Sequence, residues 1–577
     1  MSADVDEERD PKSSGSTIGA DKPADRSAQD LRPGVRWMPS LALLLLAAAA
    51  VRLGLVVLEW PASNSDEATM GLMAMHIAEG RHFPGFMYGQ SYMGTAEAYL
   101  AAAVFRVSGP SLAGLRLAML LLYLLFLVSM FVLARRLYGT SVALVSVGLL
   151  ALGSRELYGH QLVAHGAVPE TLLAGTLLLI LGHRLSETPG GAAGQRWRLA
   201  AWGATATLGL WSTVLVAPFV ATSAVLIWMA LRRRTASPPG WPWALGAGLI
   251  TGAMPWLLHD LSHPWRDSGV VSVVDMYLNG GTGLNGQESP GLAAQVTNTV
   301  TTSLSYVTGG SALAHPQSPP AWFFGYSGSW IPPTDDPVST LWGIALVALW
   351  AVSLATCVRR LRHATPVEHA ARIRGRLAML TAAGLTVLAF ATSPTPGVAP
   401  AGNIRYIIGV LIATPAVVAP LWDLRSRAGG MLRSAALLLV AVTLVLGTAQ
   451  AYRGAAHGPS EAVRRQLIDT LRREGITHVY SGYLECNRLT FLSREEITCA
   501  VLFGDPGSGL SPGLDRYPPY RTAVWADPGA AYVFRSKDTR NSVLARSTCH
   551  WRKRWRSAGY QIWQPAERCP IPAGHAR

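Results

Sequence analysis

The sequence predicts an α-helical polytopic membrane protein with about eleven transmembrane helices and a small extracytoplasmic α/β domain at its C-terminal end. Two observations lead to this fold class. Half of the 577 residues are apolar and only 15% are charged, whereas about a quarter of the residues of a soluble protein are charged. The apolar residues also form blocks long enough to cross a hydrocarbon core of ~30 Å, with short arginine-rich segments between them.

The net charge of +14 and the pI of about 9.8 are, by themselves, typical of a nucleic-acid-binding protein. The arginines, however, flank the apolar blocks and form no continuous basic face. This distribution is the one that membrane topology requires. We therefore expect a lipid bilayer as a partner and no nucleic acid.

The N-terminal end divides into a polar segment and a first span. Residues 1–36 are rich in Ser, Asp and Gly, so we expect a disordered cytoplasmic tail. Residues 38–58 are mostly apolar and long enough to cross the bilayer. A cleaved signal peptide has a shorter apolar core, so this span is expected to remain in place. It opens a transmembrane domain predicted at 37–455.

Further apolar blocks define the other spans. They lie at 112–134, 140–155, 168–183, 199–231, 242–259, 338–357, 376–392, 404–422 and 434–452. The block at 199–231 would form a helix of about 50 Å, which is too long for one span. We expect a tight turn near Trp211-Ser212-Thr213 and Pro218 to divide it into two.

Arginines fall mainly in the joints that this topology places in the cytoplasm. The positive-inside rule therefore predicts a cytoplasmic N-terminus and an extracytoplasmic C-terminal domain. Arginine also greatly outnumbers lysine, which is typical of GC-rich bacterial genomes, so the expected location is a bacterial cell membrane. Two large outer loops follow at 60–111 and 260–337. Short helices predicted at 67–78 and 96–105 of the first loop are expected to lie along the membrane surface.

The segment 456–577 is predicted to be an extracytoplasmic α/β domain. An amphipathic helix at 460–474 precedes strand-like segments, and a second helix is expected near 540–556. The strand-like segments lie at 477–480, 497–503, 522–525, 531–535 and 560–564.

Four of the five cysteines fall in this domain. An even number of cysteines outside the cytoplasm indicates disulfides, and pairing Cys486 with Cys499 and Cys549 with Cys569 is the simplest of three arrangements. A zinc site is the alternative, although no CxxC spacing supports it. Cys357 lies in an apolar span and is expected to be a small core residue.

The first candidate for chemistry is the pair Asp66-Glu67, which lies just beyond the first span in a loop with few other charges. Adjacent residues of a helix point in different directions, so only one of the two carboxylates is expected to react. The alternative is that both residues cap the following helix and favour its positive end.

The first outer loop and second span contain a series of short motifs: Ser65-Asp66-Glu67-Ala68, residues 88–100, Gly109-Pro110-Ser111 and Arg116-Leu117. Further motifs lie at residues 133–139, Arg405-Tyr406, residues 475–480 and residues 488–493. Together these stretches resemble the bacterial C-type glycosyltransferases, and more narrowly the protein O-mannosyltransferases and the aminoarabinose transferases of lipid A. The second outer loop matches only weakly.

This resemblance implies an enzyme that transfers a sugar from a polyprenyl-phosphate carrier to an acceptor outside the cytoplasmic membrane. It makes Asp66 the general base, which takes a proton from the acceptor hydroxyl. The leaving phosphate needs a cation, and Arg405 is our candidate, with Tyr406 beside it. A role as a headgroup anchor is the alternative for Arg405. Arg52 either reaches the outer surface by snorkelling or helps to hold the phosphate.

The remaining candidates are substrate-binding residues: Glu67, Gln90, Tyr92, Glu97, Glu170, His165 and His259. Glu97 matches an acidic position of the family and can hold an acceptor or a cation, or simply be solvated. Glu170 equally suits the positive end of a helix. The tyrosines equally suit a membrane interface. No histidine spacing or DxD pair indicates a metal, so a divalent cation stays an option and no cofactor is predicted.

The acceptor is a glycan, a lipid or a protein. A single visible carboxylate favours one displacement with inversion at the anomeric carbon. Two other functions compete with this hypothesis. One is a transporter or flippase of lipid-linked sugars, although the span interiors are almost purely aliphatic and no internal repeat is visible. The other is a non-catalytic envelope assembly protein that presents the C-terminal domain to a partner.

Overall fold

The computed structural model describes residues 37–187, 192–233, 239–265, 268–278, 291–314, 336–364, 367–424, 426–457, 461–505 and 509–569. The predicted disordered tail at 1–36 and parts of the predicted outer loop at 260–337 lie outside these residues. Within them the chain is mostly helical, and a six-stranded sheet forms near the C-terminal end.

The helices of the first half begin with the first span and the two helices of the outer loop. They are α1 (Trp37–Val57), α2 (Ser65–Ala78), α3 (Ala96–Ser108), α4 (Leu112–Tyr138), α5 (Thr140–Leu152), α6 (Arg155–Leu162), α7 (Val168–Ser186), α8 (Ala192–Ser212), α9 (Ala217–Arg232) and α10 (Trp241–Ser262).

The second half continues with short helices of the outer region and then long helices again. They are α11 (Gly269–Leu278), α12 (Leu292–Asn298), α13 (Leu304–Thr308), α14 (Ser311–Ala314), α15 (Pro337–Arg362), α16 (Val367–Ala391), α17 (Thr395–Val398), α18 (Thr414–Val418) and α19 (Arg427–His457). Tighter 3-10 turns lie at Val214–Val216, Ile404–Ala413 and Ala419–Trp422, and a π-helical turn joins α12 to α13.

The described residues contain eight helices that are long and apolar enough to cross a membrane, or nine if the bent pair α5 and α6 is one span. The protein is therefore a multi-pass membrane protein. Helices α8 and α10 are 21 and 22 residues long but do not belong to this set. When α8 and α10 are counted with the other helices, each apolar block of the sequence corresponds to a helical segment. The total of about eleven spans stays a prediction.

The break expected inside the block at 199–231 is present. Helix α8 ends at Ser212, and α9 begins at Ala217 with Pro218 in its first turn. Proline suits this position because the first turn of a helix does not use its N–H. Thr213 starts the intervening 3-10 turn, where its side chain accepts a hydrogen bond from the Leu215 N–H at 3.3 Å.

Helices α8 and α10 pack with their backbones in close contact. A Cβ atom at Gly248 would lie 2.1 Å from the carbonyl oxygen of Ala200, and one at Gly252 would lie 2.2 Å from that of Ala204. Small residues four apart are a common means of close helix packing in membranes. This pair forms one wall of the candidate site described below.

The C-terminal sheet consists of β1 (His478–Ser481), β2 (Thr498–Asp505), β3 (Gly509–Pro512), β4 (Ala531–Arg535), β5 (Trp551–Ser557) and β6 (Tyr560–Pro565). The strand order is β3-β2-β1-β4-β6-β5. Strand β1 runs parallel to β2 and β4, and the other pairs are antiparallel. Val479 of β1 lies beside Cys499 on one side and Ala531 on the other, in the middle of the domain core.

The helices of this domain are α20 (Ala462–Arg473), α21 (Tyr483–Leu492), α22 (Pro518–Ala526) and α23 (Arg540–Arg546). The α/β domain is confirmed, but two of its predicted segments are wrong. Residues 522–525 belong to α22, because the Pro-Pro pair at its start favours a helix over a strand. The helix expected near 540–556 is the short α23 followed by β5.

Both simplest disulfides are present, Cys486–Cys499 and Cys549–Cys569. The first ties α21 to β2, and the second lies near the end of the described chain. The alternative of a zinc site at these cysteines is therefore wrong. Cys357 is a buried free thiol in α15, as its apolar surroundings predict.

Candidate active site

Asp66 lies in the first turn of α2, in contact with the C-terminal domain. The side chain of Asn64 caps this helix by accepting a hydrogen bond from the Glu67 N–H at 2.8 Å. The Oδ1 atom of Asp66 accepts hydrogen bonds from the Tyr483 hydroxyl at 3.0 Å and from Arg516 Nη2 at 2.9 Å. The Arg516 guanidinium also donates to the Tyr483 hydroxyl, at 2.7 Å from Nη2.

Glu67 points away from Asp66, as adjacent helical residues must. Its two carboxylate oxygens accept hydrogen bonds from Arg116 of α4 at 2.8 and 2.9 Å, and both side chains are fully buried. Arg116 also donates to the carbonyl oxygen of Pro61 at 2.6 Å. This geometry supports a structural role for Glu67, which fastens α2 to α4, rather than contact with a substrate.

The loop between α2 and α3 carries Gln90 and Tyr92 to the same place. Phe86 and Gly94 pair across this loop as an isolated β-bridge, and the Met87 N–H donates to the carbonyl oxygen of Met93 at 2.9 Å. In the amide orientation that satisfies its neighbours, the oxygen of Gln90 accepts from Arg516 Nη1 at 2.7 Å and from the Tyr92 hydroxyl at 2.9 Å.

Arg405 lies at the start of the 3-10 segment Ile404–Ala413. Its guanidinium lies 4.9 Å from the centre of the Tyr406 ring and donates to the Tyr406 hydroxyl at 2.9 Å. Burial raises the pKa of Tyr92, the neighbouring Tyr406 raises it further, and the charges of Arg516 and Arg405 oppose this change. Both guanidinium groups and the Asp66 carboxylate are therefore close enough to Tyr92 to affect its pKa.

Two buried histidines lie beside Arg405. His160 Nδ1 and His165 Nε2 are 3.1 Å apart, and their rings stack. Burial lowers the pKa of His165 to about 3, and the positive charge of Arg405 contributes. His165 is therefore neutral at ordinary pH, with an imidazole that can donate one hydrogen bond and accept another.

Glu97 and Glu170 form a buried acidic pair next to this cluster. Glu97 is fully buried at the start of α3, and its Oε2 accepts a hydrogen bond from the Gly166 N–H at 2.9 Å. Burial and the nearby charge of Glu170 raise the pKa of Glu97 well above its ordinary value. Glu170 lies in the first turn of α7 and accepts from Ser212 Oγ at 3.4 Å.

A cavity of about 1000 Å³ opens between this loop and helices α3, α7, α8 and α10. Its lining is mainly apolar, and its polar groups include Gln90, Glu170 and His259. The His259 ring packs edge-on against Phe86, with 4.7 Å between ring centres. Other lining residues are partly exposed on the outside of the helices: Leu208, Met254 and Leu258. In a multi-pass membrane protein such apolar side chains face lipid, so the cavity opens sideways toward the bilayer.

Arg52 lies apart from these residues. Its guanidinium packs between the rings of Tyr123 and Tyr158, at 4.2 and 4.8 Å from their centres. It donates to Gln161 Oε1 at 2.6 Å and to the carbonyl oxygen of Ala151 at 2.7 Å. Ala151 is in the last turn of α5, where carbonyl groups lack helical partners. These contacts support a structural role at the bend between α5 and α6 rather than phosphate binding.

Hydrogen bonds that include Arg516 bring together Asp66, Gln90 and Tyr92. Arg405 and Tyr406 are close enough to affect the pKa of Tyr92, and Arg405 affects that of His165. Glu97, Glu170 and His259 line or adjoin the cavity next to them. Sequence reasoning missed Tyr483, Arg516 and His160. One signal for Tyr483 existed, because it follows a parallel strand at the start of a helix, where α/β domains often present functional groups. Arg516 carried no such signal.

Metal binding has no obvious site in this arrangement. Within the described ranges, no group of three or more His, Cys, Asp or Glu side chains is placed to hold a metal ion. Glu97 and Glu170 remain the nearest acidic pair to the cavity.

Comparison with known proteins gives matches at the level of structure. No protein-family model and no curated protein matches the sequence. The structure is similar to ArnT from Cupriavidus metallidurans bound to undecaprenyl phosphate, with a TM-score of 0.55 and 13% identity, over 91% of this chain and 97% of that one. It is also similar to the oligosaccharyltransferase of Archaeoglobus fulgidus tethered to an acceptor peptide, with a TM-score of 0.50 and 14% identity, over 91% and 74% of the two chains.

Both similar structures are C-type glycosyltransferases, and the likeness spans the membrane helices and the C-terminal region. At such low identity the similarity shows the fold alone. The substrate and the chemistry have to be argued from the residues of the site. The protein has the membrane fold of the C-type glycosyltransferases, joined to a small C-terminal sheet domain.

Proposed function

We propose that this protein is an inverting membrane glycosyltransferase that moves a sugar from a polyprenyl-phosphate carrier to an extracytoplasmic acceptor. One observation carries the proposal. The Asp66 carboxylate and the Gln90 amide are joined through the Arg516 guanidinium, and Gln90 lines an apolar cavity next to them. A lipid with a charged head and a long apolar chain needs this combination of groups.

The cavity suits the isoprenoid chain of the donor. Its walls are apolar, and Leu208, Met254 and Leu258 give it a side that faces lipid. A polyprenyl chain entering from the bilayer would therefore stay in an apolar environment, while its phosphate and sugar lie outside the apolar walls of the cavity. The undecaprenyl phosphate bound by ArnT from Cupriavidus metallidurans supports a carrier of this class.

In the proposed reaction, Asp66 takes the proton of an acceptor hydroxyl as its oxygen forms a bond to the anomeric carbon. The bond from that carbon to the phosphate oxygen breaks, and its electron pair leaves with the polyprenyl phosphate. Arg405 and the Tyr406 hydroxyl stabilise the phosphate, which needs a cation rather than a proton. One displacement of this kind inverts the anomeric centre.

The other candidates take supporting roles. Gln90 lines the cavity and accepts hydrogen bonds from Arg516 and from the Tyr92 hydroxyl, so Gln90 and Tyr92 are assigned to sugar hydroxyls. His165 is neutral beside Arg405 and can donate to a phosphate oxygen without adding charge. Glu170 and His259 line the cavity, and Glu97 lies next to Glu170. These three residues are therefore assigned to substrate binding.

We place the site on the outer face of a bacterial cell membrane, with the N-terminus in the cytoplasm. The two disulfides support an oxidising compartment for the C-terminal domain. The arginine distribution along the helices supports the same orientation. The boundaries at 37–455 for the membrane domain and 456–577 for the outer domain belong to this proposal.

The test is sugar transfer in membranes from cells that express the full chain. A panel of radiolabelled undecaprenyl-phosphate sugars, with mannose, glucose, arabinose and aminoarabinose, supplies the donor. Asp66→Asn should lower transfer by roughly 10²- to 10⁴-fold, because it removes a general base. Asp469→Asn, which changes an exposed aspartate of α20, is the matched control and should be active.

Two outcomes would contradict this proposal. Equal transfer by Asp66→Asn and the wild-type protein would remove Asp66 from the reaction. Retention of the donor's anomeric configuration in the product would rule out a single displacement. Movement of the labelled lipid across the bilayer without transfer would instead favour a transporter.

A further inference from the structure

We propose that the C-terminal domain completes the active site, with Arg516 as a positioning residue that holds the Asp66 carboxylate for the transfer reaction. This inference rests on the function proposed above. It gives the C-terminal domain a part in the chemical step itself. The location of the domain alone would suggest only that it covers the site or helps to select the acceptor.

The contact between Arg516 and Asp66 is buried and specific. The two side chains are only 5% and 8% exposed, and 2.9 Å separates Arg516 Nη2 from Asp66 Oδ1. Exposed ion pairs contribute little, because water screens them and flexible side chains lose entropy. A buried pair with several hydrogen bonds fixes the relative orientation of its groups much more strongly.

Other contacts hold the guanidinium of Arg516 itself in place. It donates to the Tyr483 hydroxyl from both Nε and Nη2, and Gln90 accepts from its Nη1. The preceding residue, Asp515, accepts a hydrogen bond from the Val501 N–H at 2.7 Å and pairs with Arg521. The segment that carries Arg516 is therefore fastened to β2 and α22, so Arg516 has a rigid base.

The docking of the whole domain on α2 adds to this rigidity. Asn487 of α21 donates to Thr69 Oγ1 at 2.9 Å and to Ser65 Oγ at 3.2 Å, on either side of Asp66 in the helix. Every residue of α2 from Ser65 to Ile77 is buried, because α2 packs against both α21 and α3. Asp66 is thus held by its own helix from one side and by the C-terminal domain from the other.

A general base is effective only when its oxygen points at the proton that it removes. Tyr483 and Arg516 both donate to Oδ1 of Asp66, and two directed donors on one oxygen restrict rotation of the carboxylate. A misplacement of about 1 Å in a catalytic group can cost roughly 10²-fold in rate. Loss of Arg516 should therefore slow the chemical step more than it weakens donor binding.

The kinetic test uses the full chain in membranes and the donor from the panel that the wild-type protein accepts. Arg516→Ala should lower kcat roughly 10²-fold with a small change in the KM for the donor. The kcat of Arg516→Lys, which keeps the positive charge but not the planar guanidinium group, should lie between that of Arg516→Ala and that of the wild-type protein. The matched control is Arg472→Ala, which removes an exposed arginine of the same domain that pairs with Glu496.

Chemical rescue separates positioning from folding. Guanidinium chloride at low millimolar concentration should restore part of the activity of Arg516→Ala, because the free ion can occupy the vacated place. Sodium chloride at the same concentration should not. A kcat of Arg516→Ala equal to that of the Arg472→Ala control would overturn the inference, and so would a loss confined to KM.

A stability measurement tests the contact without any activity. The variants Asp66→Asn, Arg516→Gln and the double variant are compared by thermal unfolding in detergent. Coupled side chains should give a double variant that is less destabilised than the sum of the single changes. Additive changes would show that the two residues do not interact and would overturn the inference. If the wild-type protein shows no transfer activity but the stability effects of the two substitutions are coupled, the proposed function is wrong and the contact between Arg516 and Asp66 is still supported.

Discussion

Asp66 and Glu67 are neighbours in the chain but have different partners and different surroundings. Glu67 forms a buried, bidentate ion pair with Arg116. Asp66 instead accepts hydrogen bonds from Tyr483 and Arg516 in the candidate site. The sequence predicts that only one of them reacts, because adjacent helical side chains diverge. It does not reveal which partners each side chain finds, since those come from distant segments.

The Glu67–Arg116 pair gives a test at this scale. Glu67→Gln should destabilise the protein by about 3–5 kcal/mol, because it leaves the Arg116 charge buried without its counter-ion. Thermal unfolding in detergent measures the effect. Replacing both residues, as Glu67→Gln with Arg116→Met, should recover much of the loss, since no unpaired charge then remains. A single variant as stable as the wild-type protein would contradict this role for the pair.

At the scale of elements, length and apolarity predict the membrane helices well, because a helix must satisfy its own backbone in lipid. The turn between α8 and α9 also follows from the sequence, through Pro218 and the excessive length of the block. The bend between α5 and α6, at 77°, was not predicted. Gly153, with φ of +66°, ends α5, and Ser154 caps α6, but these signals are too local to show that a second helix follows the block at 140–155 at a steep angle.

The packing of α8 against α10 gives the second test. Gly248→Leu should prevent close packing, because even a Cβ atom there would lie 2.1 Å from the carbonyl oxygen of Ala200. We expect a loss of about 1–3 kcal/mol or more, as for other overpacked positions, together with a lower unfolding temperature in detergent. Gly246→Leu, on the same helix, is the matched control, because a Cβ atom there meets nothing within 4 Å. Similar unfolding temperatures for the two variants would refute the close contact.

At the scale of the whole molecule, the sequence predicts two parts but not how they meet. Periodicity and turn residues indicate the α/β domain, and the cysteine count indicates its disulfides. The sequence predicts that α2 lies along the membrane surface, but it does not reveal that α21 packs over this helix. Contacts such as Arg516 with Asp66, which join residues 450 apart in the chain, depend on tertiary docking that no local pattern encodes.

Glu495 gives a test of this docking. It accepts a hydrogen bond from His76 at 2.9 Å and pairs with Arg81, both across the boundary between the two parts, and it accepts from Tyr520 of its own domain at 2.6 Å. Burial alone would raise its pKa, but the hydrogen bonds from His76, Arg81 and Tyr520 lower the pKa of Glu495 to about 2. Its contribution to stability is therefore present above the ordinary value of about 4.5 and is lost as pH falls toward 2.

Glu495→Gln should accordingly lower the unfolding temperature at pH 7, and the difference from the wild-type protein should shrink as pH falls below about 4.5. Thermal unfolding in detergent across this pH range measures both effects. Glu496→Gln is the control, since this neighbouring carboxylate is exposed and pairs with Arg472 on the surface of the domain. A difference that stays constant with pH would contradict the assigned contacts.

The ion pair that joins residue 66 to residue 516 also bears on biosynthesis. A ribosome finishes the first outer loop long before it makes the arginine that steadies the carboxylate. A nascent chain halted anywhere before that arginine would contain its membrane helices but, under the proposed function, would lack the group that positions its general base. In the orientation proposed above, the C-terminal domain has to be exported and folded before this ion pair can form, so the pair would be one of the last contacts that the protein makes.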